Sequence, residues 1–455
     1  MRILFYGCER MDLWIAFLIF AGCMAGALAL GITLLAPLGV GFVLFARLAV
    51  RRGFRLKTVL KLAVWSLRNS MIVVRILLII GCLTGIWRQS GTVAYFVSLG
   101  VSLIPPQVFL LAVFLLAAAM SFALGTSFGV TATAGVILIS VARAGGVDPI
   151  WAAGAILSGV YLGDRGSPAA SSANLVAVLT GTDMRRNVRD MLKCALIPFL
   201  ICCALYTLLS ALHPAAAIDA AVLAQLDGEF TLVWYCLIPA VLMIVLPFCG
   251  MKVRRAMGVS LLSALLISVF AQGNGILSCL HAMLTGYRAK TPALDGMLSG
   301  GGVVSNLEVC GILILSSSYG EIFRGTNMLS PVNEKLTRLA KRIGRFPAMV
   351  LLALGVSGLF CNQTIGAIMQ NQLSADMYGD SEEEKRQKML DMENSVILLS
   401  DAVPWCIACS VPLSMLGADY RATLAAFYVW LVPLYWLLRQ RKGKTNAVPD
   451  STANA

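Results

Sequence analysis

Long apolar runs alternate with short polar segments along the whole chain, and this alternation predicts a bundle of membrane-spanning helices. Hydrocarbon offers the backbone no hydrogen-bond partners outside its own segment, so apolar runs of about 20 residues form helices there. The candidates are Leu13 to Ala46, Ile72 to Trp87, Val108 to Val141, Cys194 to Leu212, Phe230 to Gly250, Ala256 to Ala271, Val303 to Ile322, Ala348 to Gly358 and Ala422 to Leu438. We expect roughly ten to twelve crossings or part-crossings and no soluble domain.

The composition supports this prediction, because 58% of the 455 residues are hydrophobic and only 13% are charged. Such proportions are typical of polytopic α-helical membrane proteins. A net charge of +13 raises nucleic-acid binding as an alternative. The Lys and Arg residues, however, cluster in short segments between apolar runs, as they do in cytoplasmic loops of membrane proteins. We therefore expect the lipid bilayer as a partner, and no nucleic acid.

The basic clusters also predict the orientation of the chain. Predicted cytoplasmic segments are Arg47 to Arg68, Arg185 to Lys193, Lys252 to Arg255, Lys335 to Arg345 and the tail from Arg439 to Lys444. The stretch between Lys193 and Lys252 contains acidic residues but no Lys or Arg, which places it outside. Each half then crosses an odd number of times in opposite senses. We expect a first membrane repeat (1–212), an extracytoplasmic connector (213–229), a second, inverted repeat (230–438) and a cytoplasmic polar tail (439–455), with both termini in the cytoplasm of a cell-membrane protein.

Two polar blocks interrupt the apolar runs, one in each half, and their spacing indicates a duplication. The first extends from Gly125 to Asn174 and the second from Asn362 to Trp405. The corresponding pairs are Pro168 and Pro404 (404 − 168 = 236 positions apart), Ser127 and Gln363 (236), and Asp164 and Asp401 (237). Duplicated halves with helix breaks at matching depths are typical of secondary transporters. The predicted fold is all-α, with two inverted-topology repeats, discontinuous helices and re-entrant segments.

The first block opens with Gly125-Thr126-Ser127-Phe128-Gly129. Glycines free backbone carbonyls and the hydroxyls add oxygens, a combination that suits an alkali cation or a small polar substrate. The alternative is close helix packing, which small residues also favour. The same string fits the G-x-S-x-G pattern of a hydrolase, so an intramembrane serine protease would require His213 or His281 to reach Ser127. We expect that the protein is not an enzyme.

The acidic residue Asp164 is followed by Arg165, Gly166, Ser167 and Pro168. A lone charge at the bilayer centre costs about 3 kcal/mol or more, so Asp164 is expected to face protein, water or ligand. Arg165 could instead pair with it at an interfacial turn, or extend to the membrane boundary. The turns that follow add further oxygen-bearing side chains, namely Ser167, Ser171, Ser172 and Asn174.

In the second half, Asn362, Gln363 and Thr364 stand where the first half has Thr126 and Ser127. They match a glycosylation sequon, but their apolar flanks argue for burial. Further on, Glu393 either belongs to the site or closes the solvated charge run 381–388, with equal weight. Asp401 is better placed, because apolar residues precede it and Pro404, which breaks a helix, follows it. Trp405 comes directly after Pro404.

Metal centres other than a transported ion are not expected. Most of the thirteen cysteines lie inside apolar runs, where they act as small hydrophobic side chains. The chain has only two histidines, and no CxxC pair accompanies them at metal-binding spacing. The sequence therefore predicts no cofactor and no structural metal, leaving Na⁺ as the only metal ion considered.

Three segments resemble the NhaC family of sodium/proton antiporters: GTSFGVTATAGV, GAILSGVYLGDRGSPAASSANLVAVLTGTD and ENSVILLSDAVPWCIACSVPLSMLGAD. The similarity extends over about 76–435. It implies cation/proton exchange at a site formed by Thr126, Ser127, Asp164, Ser167, Asn174, Glu393 and Trp405. The chain departs from the family in three places: Ser171 replaces a usual aspartate, Asn394 replaces the second residue of an acidic pair, and Asp401 is acidic where the family generally is not.

Two transport hypotheses follow. In the first, Asp164 binds Na⁺ (or Li⁺) and H⁺ alternately, because burial disfavours its charged form whereas a bound cation favours it. In the second, the protein is a Na⁺- or H⁺-coupled carrier of a small organic anion or amino acid. Helix N-termini would then face the substrate carboxylate, with hydrogen bonds from Arg165, Asn174, Asn362 or Gln363. A GxxxG pattern at 296–300 is weak evidence for a homodimer.

Overall fold

The computed structural model of the protein describes residues 2–103, 105–215, 220–326 and 330–441. Within these ranges the chain is helical, and the only β pairing is an isolated antiparallel bridge between Tyr287 and Gly300. The prediction of an all-α membrane protein is confirmed. The polar tail beyond residue 441 lies outside the described residues, as do residues 216–219 of the connector.

The helices follow one another with short connections. The first half contains α1 (Arg2–Leu30), α2 (Leu35–Arg51), α3 (Leu56–Gln89), α4 (Thr92–Leu103), α5 (Phe109–Leu124), α6 (Ser127–Val130), α7 (Val136–Ala144), α8 (Pro149–Gly166), α9 (Ser171–Thr180) and α10 (Met184–Leu212). The connector contains α11 (Ala220–Glu229). The second half contains α12 (Ile238–Phe248), α13 (Val253–Leu266), α14 (Ile276–Thr285), α15 (Pro292–Leu298), α16 (Leu307–Thr326), α17 (Ser330–Ile343), α18 (Arg345–Phe360), α19 (Gln363–Leu373), α20 (Glu382–Glu393), α21 (Val396–Leu399), α22 (Ile407–Leu416) and α23 (Phe427–Arg441).

Several of these helices are long and apolar enough to cross a bilayer. In the described part of the chain there are five: Pro106–Leu124, Ser127–Ala144, Met184–Leu212, Val253–Ala271 and Tyr420–Gln440. A bent pair, Val73–Gln89 and Thr92–Leu99, forms one more, with a 64° angle at the break. Five shorter apolar helices are Ile15–Leu30, Trp234–Pro247, Ile276–Thr285, Arg345–Phe360 and Ile407–Leu416. The described residues thus contain up to six helices that are long enough to cross a bilayer, and the expected ten to twelve crossings or part-crossings stay a prediction.

The 236-residue offset of the sequence recurs in the helix boundaries. Helices α5 and α18 both begin and end 236 positions apart, and so do α9 and α22. The residues that end α5 and α18 are left-handed, with φ of 64° at Gly125 and 53° at Cys361. Two further N-caps, Asp183 and Asp419, are also 236 positions apart. The side chain of each accepts a hydrogen bond from a backbone N–H two or three residues later. The two halves thus share one local design.

After each of the two central breaks, at Gly125 and at Cys361, the next helix begins with the same kind of N-cap. The Thr126 hydroxyl accepts a hydrogen bond from the Gly129 N–H at 3.2 Å, and the Asn362 side-chain oxygen accepts one from the Ile365 N–H at 3.1 Å. A cap of this kind satisfies a donor that a helix start leaves without an intrahelical partner. The predicted run from Val108 to Val141 is therefore two helical segments, because the cap residue is extended and redirects the chain.

The short helices exchange partners between the halves. Helix α9 packs against α19, while α22, which corresponds to α9, packs against α6 and the π-helical turn Thr131–Gly135. This reciprocal packing brings the breaks of both halves into one region. The opposite orientation of the halves across the membrane, and the domain limits drawn from it, stay predictions.

Some basic segments predicted to be loops are helical. Helix α3 already begins at Leu56, α10 at Met184 and α17 at Ser330, so these helices include most of the basic residues assigned to loops. Long Lys and Arg side chains can extend from a helix end to the polar membrane surface, which lets the helix itself continue into the charged segment. Charge clustering therefore does not by itself predict where a helix begins or ends.

Candidate functional site

Asp164 lies in the last turn of α8, buried at 4% exposure. Helix α8 packs closely on α5 because Gly163 has no side chain; a Cβ there would lie 2.2 Å from the Ser121 carbonyl carbon. The helix ends before Pro168, and the Ser172 hydroxyl of α9 donates to the main-chain carbonyl of Asp164 at 2.6 Å. The broken helix and the close packing together fix this carboxylate inside the protein.

Gln363 of the second half contacts that carboxylate. Its side-chain Nε2 lies 3.2 Å from Oδ2 of Asp164 and also donates to the Ile397 carbonyl at 2.8 Å. Gln363 is the first residue of α19, directly after the capped break. The structure therefore brings together Asp164 and the 362–364 segment, as the sequence indicated.

Arg165 is held inside the protein at 1% exposure and does not extend to a membrane boundary, contrary to one of our interpretations. Its guanidinium donates through Nη2 to the Asn394 side-chain oxygen at 2.6 Å and to the Cys194 sulfur at 2.8 Å. Through Nη1 it donates to the Tyr428 hydroxyl at 3.2 Å and the Met191 carbonyl at 3.3 Å. These contacts leave both terminal nitrogens engaged within the protein.

Glu393, the last residue of α20, belongs to the same region. It is buried, and neither carboxylate oxygen has a hydrogen-bond partner. It interacts electrostatically with Arg165 and with Asp164. The interpretation of Glu393 as the end of a solvated charge run is therefore wrong for its side chain, although Ser381 does cap α20 and the first turn of that helix is acidic and exposed.

Asp401 lies in the non-helical segment between α21 and α22, and it is fully buried. Neither of its carboxylate oxygens has a hydrogen-bond partner. In the 236-residue register of the helices, Asp401 corresponds to Arg165, while Ser400 corresponds to Asp164. The pairing of Asp164 with Asp401 suggested by the sequence is thus one residue out of register.

Tyr161 connects the two regions, and the sequence analysis missed it. It interacts electrostatically with both Asp164 and Asp401, and its hydroxyl donates to the Ala408 carbonyl in α22. Tyr161 stands three residues before Asp164, so both lie on one face of α8. This three-residue spacing on a helix was the sequence feature that could have indicated Tyr161. The partners of Arg165 gave none, because they are distant in the sequence.

The sequence profile of the Na⁺/H⁺ antiporter family matches residues 13–173 and 159–438. The chain belongs to this family. The expected resemblance to sodium/proton antiporters of the NhaC type is thereby confirmed.

Individual members of the family differ in what their names say they transport. Over 395 residues the chain is 29% identical to the malate-2H⁺/Na⁺-lactate antiporter of Bacillus subtilis, covering 83% of this chain and 84% of the relative. It is 25% identical to the Na⁺/H⁺ antiporter NhaC of Alkalihalophilus pseudofirmus, covering 80% of each. It is also 25% identical to the arginine/ornithine antiporter ArcD of Halobacterium salinarum, covering 78% and 76%.

The remaining residues of the predicted antiporter site lie around the breaks. Ser127 is buried in the first turn of α6. The Ser167 hydroxyl accepts from the Ala169 N–H, and the Trp405 indole N–H donates to the Gly358 carbonyl. Asn174 is exposed and donates back to the carbonyls of residues 168 and 170. The hydrogen bonds of Ser167, Asn174 and Trp405 thus go to the protein backbone.

Two further predicted residues, Ser171 and Thr364, are exposed. The exposure of Ser171 is informative, because the family usually has an aspartate there. Replacing a carboxylate by a hydroxyl at this surface position does not leave a gap in the buried cluster. Asn394, another of the three departures, is buried and accepts the shortest hydrogen bond of Arg165, at 2.6 Å.

The protease alternative required a histidine next to Ser127. His281 is exposed and interacts with Thr285 on its own helix, and His213 is exposed after the end of α10. Neither occupies the position of a base for Ser127. Among the described residues, no group of three or more His, Cys, Asp or Glu side chains is arranged to hold a metal ion.

Proposed function

We propose that this protein exchanges Na⁺ for H⁺ across the cytoplasmic membrane, with Asp164 binding the two ions in turn. The observation that carries the proposal is the buried Asp164 carboxylate, contacted across the two halves by Gln363. A carboxylate at such a position serves a transported ion or proton in many membrane proteins. Membership in the Na⁺/H⁺ antiporter family supports the same conclusion.

The charges around Asp164 favour a cation over an anion. Asp164 and Glu393 supply two carboxylates, and Arg165 supplies one guanidinium. When both acids are ionised, one negative charge remains without compensation. Either one Na⁺ or one H⁺ restores neutrality, so the two ions compete for the same place. This competition couples their opposing fluxes.

Oxygen ligands for Na⁺ are available beside that charge. The second carboxylate oxygen of Asp164, the Gln363 amide and the Ile397 carbonyl all lie at the α19 break. Hard cations prefer such oxygen donors. Because α8 and α19 come from different halves, a bound ion stabilises one arrangement of the halves over others, as alternating access requires.

A coupled carrier of a small organic anion or amino acid is the alternative, and two relatives carry names of that kind. It is not favoured, because the Arg165 guanidinium is already occupied by Asn394, Cys194, Tyr428 and Met191. A substrate carboxylate would have to displace these contacts. Thermal shifts distinguish the alternatives: Na⁺ or Li⁺ alone should raise the melting temperature, whereas stabilisation only by a metabolite would favour the carrier.

The orientation in the membrane forms part of the proposal. We place both termini on the cytoplasmic side, because the basic residues of 185–193, 252–255 and 335–345 all face one side when the halves are inverted. Cysteines introduced singly into these segments should react with a membrane-impermeant thiol reagent only in everted vesicles. Labelling from the outside would contradict the orientation.

Everted vesicles provide the decisive test of exchange. Adding Na⁺ to vesicles with an imposed pH gradient should release protons, and Asp164→Asn should abolish the release. Asp148→Asn is the matched control, because Asp148 caps the start of the same helix, lies exposed, and is replaced by another good capping residue. That control should exchange like the wild type. Unchanged exchange by Asp164→Asn would reject the assignment.

A further inference from the structure

Two buried aspartates of the second half, Asp391 and Asp401, have opposite surroundings. Both are fully shielded from solvent. Asp391 accepts four hydrogen bonds, whereas Asp401 accepts none on either oxygen. Since the side chains are chemically identical, the difference indicates different charge states and different roles.

Asp391 has the surroundings of a structural carboxylate, because hydrogen-bond donors surround both of its oxygens. Its Oδ1 accepts from the side chains of Trp436 and Gln440, both at 2.7 Å, and of Gln387 at 2.9 Å. Its Oδ2 accepts from the Tyr378 hydroxyl at 2.7 Å. Four donors replace the hydration of a carboxylate and stabilise its ionised form. The bonds from Trp436 and Gln440 join α23 to Asp391 of α20.

Asp401 has no such set of hydrogen-bond donors around its carboxyl group. The titratable groups that interact with it electrostatically are Tyr161, Tyr206, Cys406 and Cys409, none of them a cation. No Lys or Arg among the described residues forms an ion pair with it. An ionised carboxylate with neither a hydrogen-bond donor nor a cation beside it is very unfavourable, so the group is neutral and holds a proton in this conformation. Glu393 also lacks hydrogen-bond partners, but it interacts with the Arg165 guanidinium.

The position of Asp401 connects this proton to the ion site. Asp401 lies in the irregular segment between α21 and α22, where the chain can rearrange without breaking a helix. Tyr161 of α8 interacts with Asp401 and with Asp164, so both acids share one neighbour. Burying this carboxyl group without a hydrogen-bond partner is unfavourable, and no structural contact of Asp401 compensates for it. Unsatisfied buried groups of this kind are often functional.

We infer that Asp401 is a second proton carrier, so that each cycle exchanges two protons for one Na⁺. The inference rests on the proposed function and extends it to the exchange ratio. In the proton-loaded state Asp164 and Asp401 are both neutral acids. Na⁺ binding at Asp164 releases one proton there, and its positive charge favours release of the other from Asp401. Two positive charges then move against one, and each cycle transfers one net charge.

The exchange ratio is measured from the gradient at which flux stops. Purified protein in proteoliposomes is held at zero membrane potential with K⁺ and valinomycin, across a pH difference of one unit. Net Na⁺ flux should vanish at a Na⁺ gradient of about 100-fold for two protons per Na⁺, but at about tenfold for one. The wild type should balance at the higher value, and a membrane potential should shift that balance.

Substitutions assign the second proton to its residue. Asp401→Asn should balance at the one-proton gradient and lose its response to potential, whereas Asp401→Glu should keep the two-proton value. Asp391→Asn, which removes the other buried aspartate and serves as the matched control, should also keep the two-proton value. A one-proton balance in the wild type, or a two-proton balance in Asp401→Asn, would overturn the inference alone. Absence of Na⁺-dependent flux in the wild type would instead overturn the proposed function.

An infrared difference spectrum covers the case in which Asp401→Asn does not transport. Adding Na⁺ to the wild type should remove carboxylic-acid C=O intensity, and part of that signal should be missing in folded Asp401→Asn protein. An unchanged signal in that variant would show that Asp401 carries no releasable proton and would overturn the inference.

Discussion

Gln363 donates a hydrogen bond to the carboxylate of Asp164 over 3.2 Å, although the two residues are 199 positions apart. Asp164 ends a helix of the first half, and Gln363 begins one of the second half. Any motion that separates the halves at this point must lengthen or break the bond. The charge state of Asp164 and the arrangement of the two halves are therefore coupled.

Replacing Gln363 by Leu should weaken Na⁺ binding while leaving the chemistry of Asp164 in place. A hydrogen bond to a charged group contributes about 1.5–3 kcal/mol, so the KM for Na⁺ should rise about tenfold or more. Proton release by everted vesicles at increasing Na⁺ concentration measures this change. The neighbouring Thr364 is exposed, so Thr364→Val serves as the control and should keep the wild-type KM. An unchanged KM in Gln363→Leu would show that the amide takes no part in ion binding.

The breaks and their acids could be predicted because their signals are local. Gly125, Asn362 and Pro168 each impose a backbone property that only a few residue types supply well. The left-handed Cys361 could not be predicted from its own identity, since cysteine has no preference for that conformation. Only its 236-residue offset from Gly125 indicated it. The partners of Arg165 and the contact of Tyr161 with α22 depend on tertiary packing between segments far apart in the chain.

Gly125→Ala should destabilise the protein more than Gly181→Ala does. Both glycines end a helix in the left-handed conformation, with φ of 64° and 67°. A Cβ at Gly125 would lie 2.4 Å from the Ala169 carbonyl carbon, whereas one at Gly181 meets nothing within 4 Å. Backbone strain costs about 1 kcal/mol at either site, and overpacking adds about 1–3 kcal/mol at Gly125 alone. Thermal unfolding in detergent tests this difference, and equal losses would contradict the close approach of Gly125 to the segment between α8 and α9.

Asp190 and Arg386 should show coupled effects on stability. The Arg386 Nε lies 2.6 Å from the Asp190 carboxylate and joins α10 to α20, two helices from different halves. Because Asp190 is mostly buried, losing its partner leaves a charge in an unfavourable place. A double-mutant cycle with Asp190→Asn and Arg386→Gln should give a coupling free energy of about 1 kcal/mol. The exposed pair Glu382 and Lys385 is the control and should give a value near zero. Additive effects at the first pair would mean that it does not hold the halves together.

Glu229 should make the stability of the protein depend on acidic pH. It ends α11 in the connector, where its carboxylate accepts hydrogen bonds from the Tyr287 hydroxyl and from the backbone N–H groups of Lys290 (2.8 Å) and Thr291 (3.2 Å). Burial alone would raise the pKa of Glu229, but these hydrogen bonds together hold it below its ordinary value. A group with a lowered pKa in the folded state stabilises the protein above its unfolded pKa, near 4.3. That contribution is lost as the pH falls through the folded pKa.

Glu229→Gln should therefore lower stability by about 1 kcal/mol at pH 7, and the difference from the wild type should shrink as the pH falls below the unfolded pKa, because the wild type then loses the same contribution. Melting temperatures measured over this pH range should converge toward the acidic end. Asp227→Asn is the matched control, because Asp227 lies on the same helix and is exposed. It should follow the wild-type curve throughout. A constant difference between Glu229→Gln and the wild type at every pH would mean that lost packing, and not the ionised carboxylate, accounts for the change.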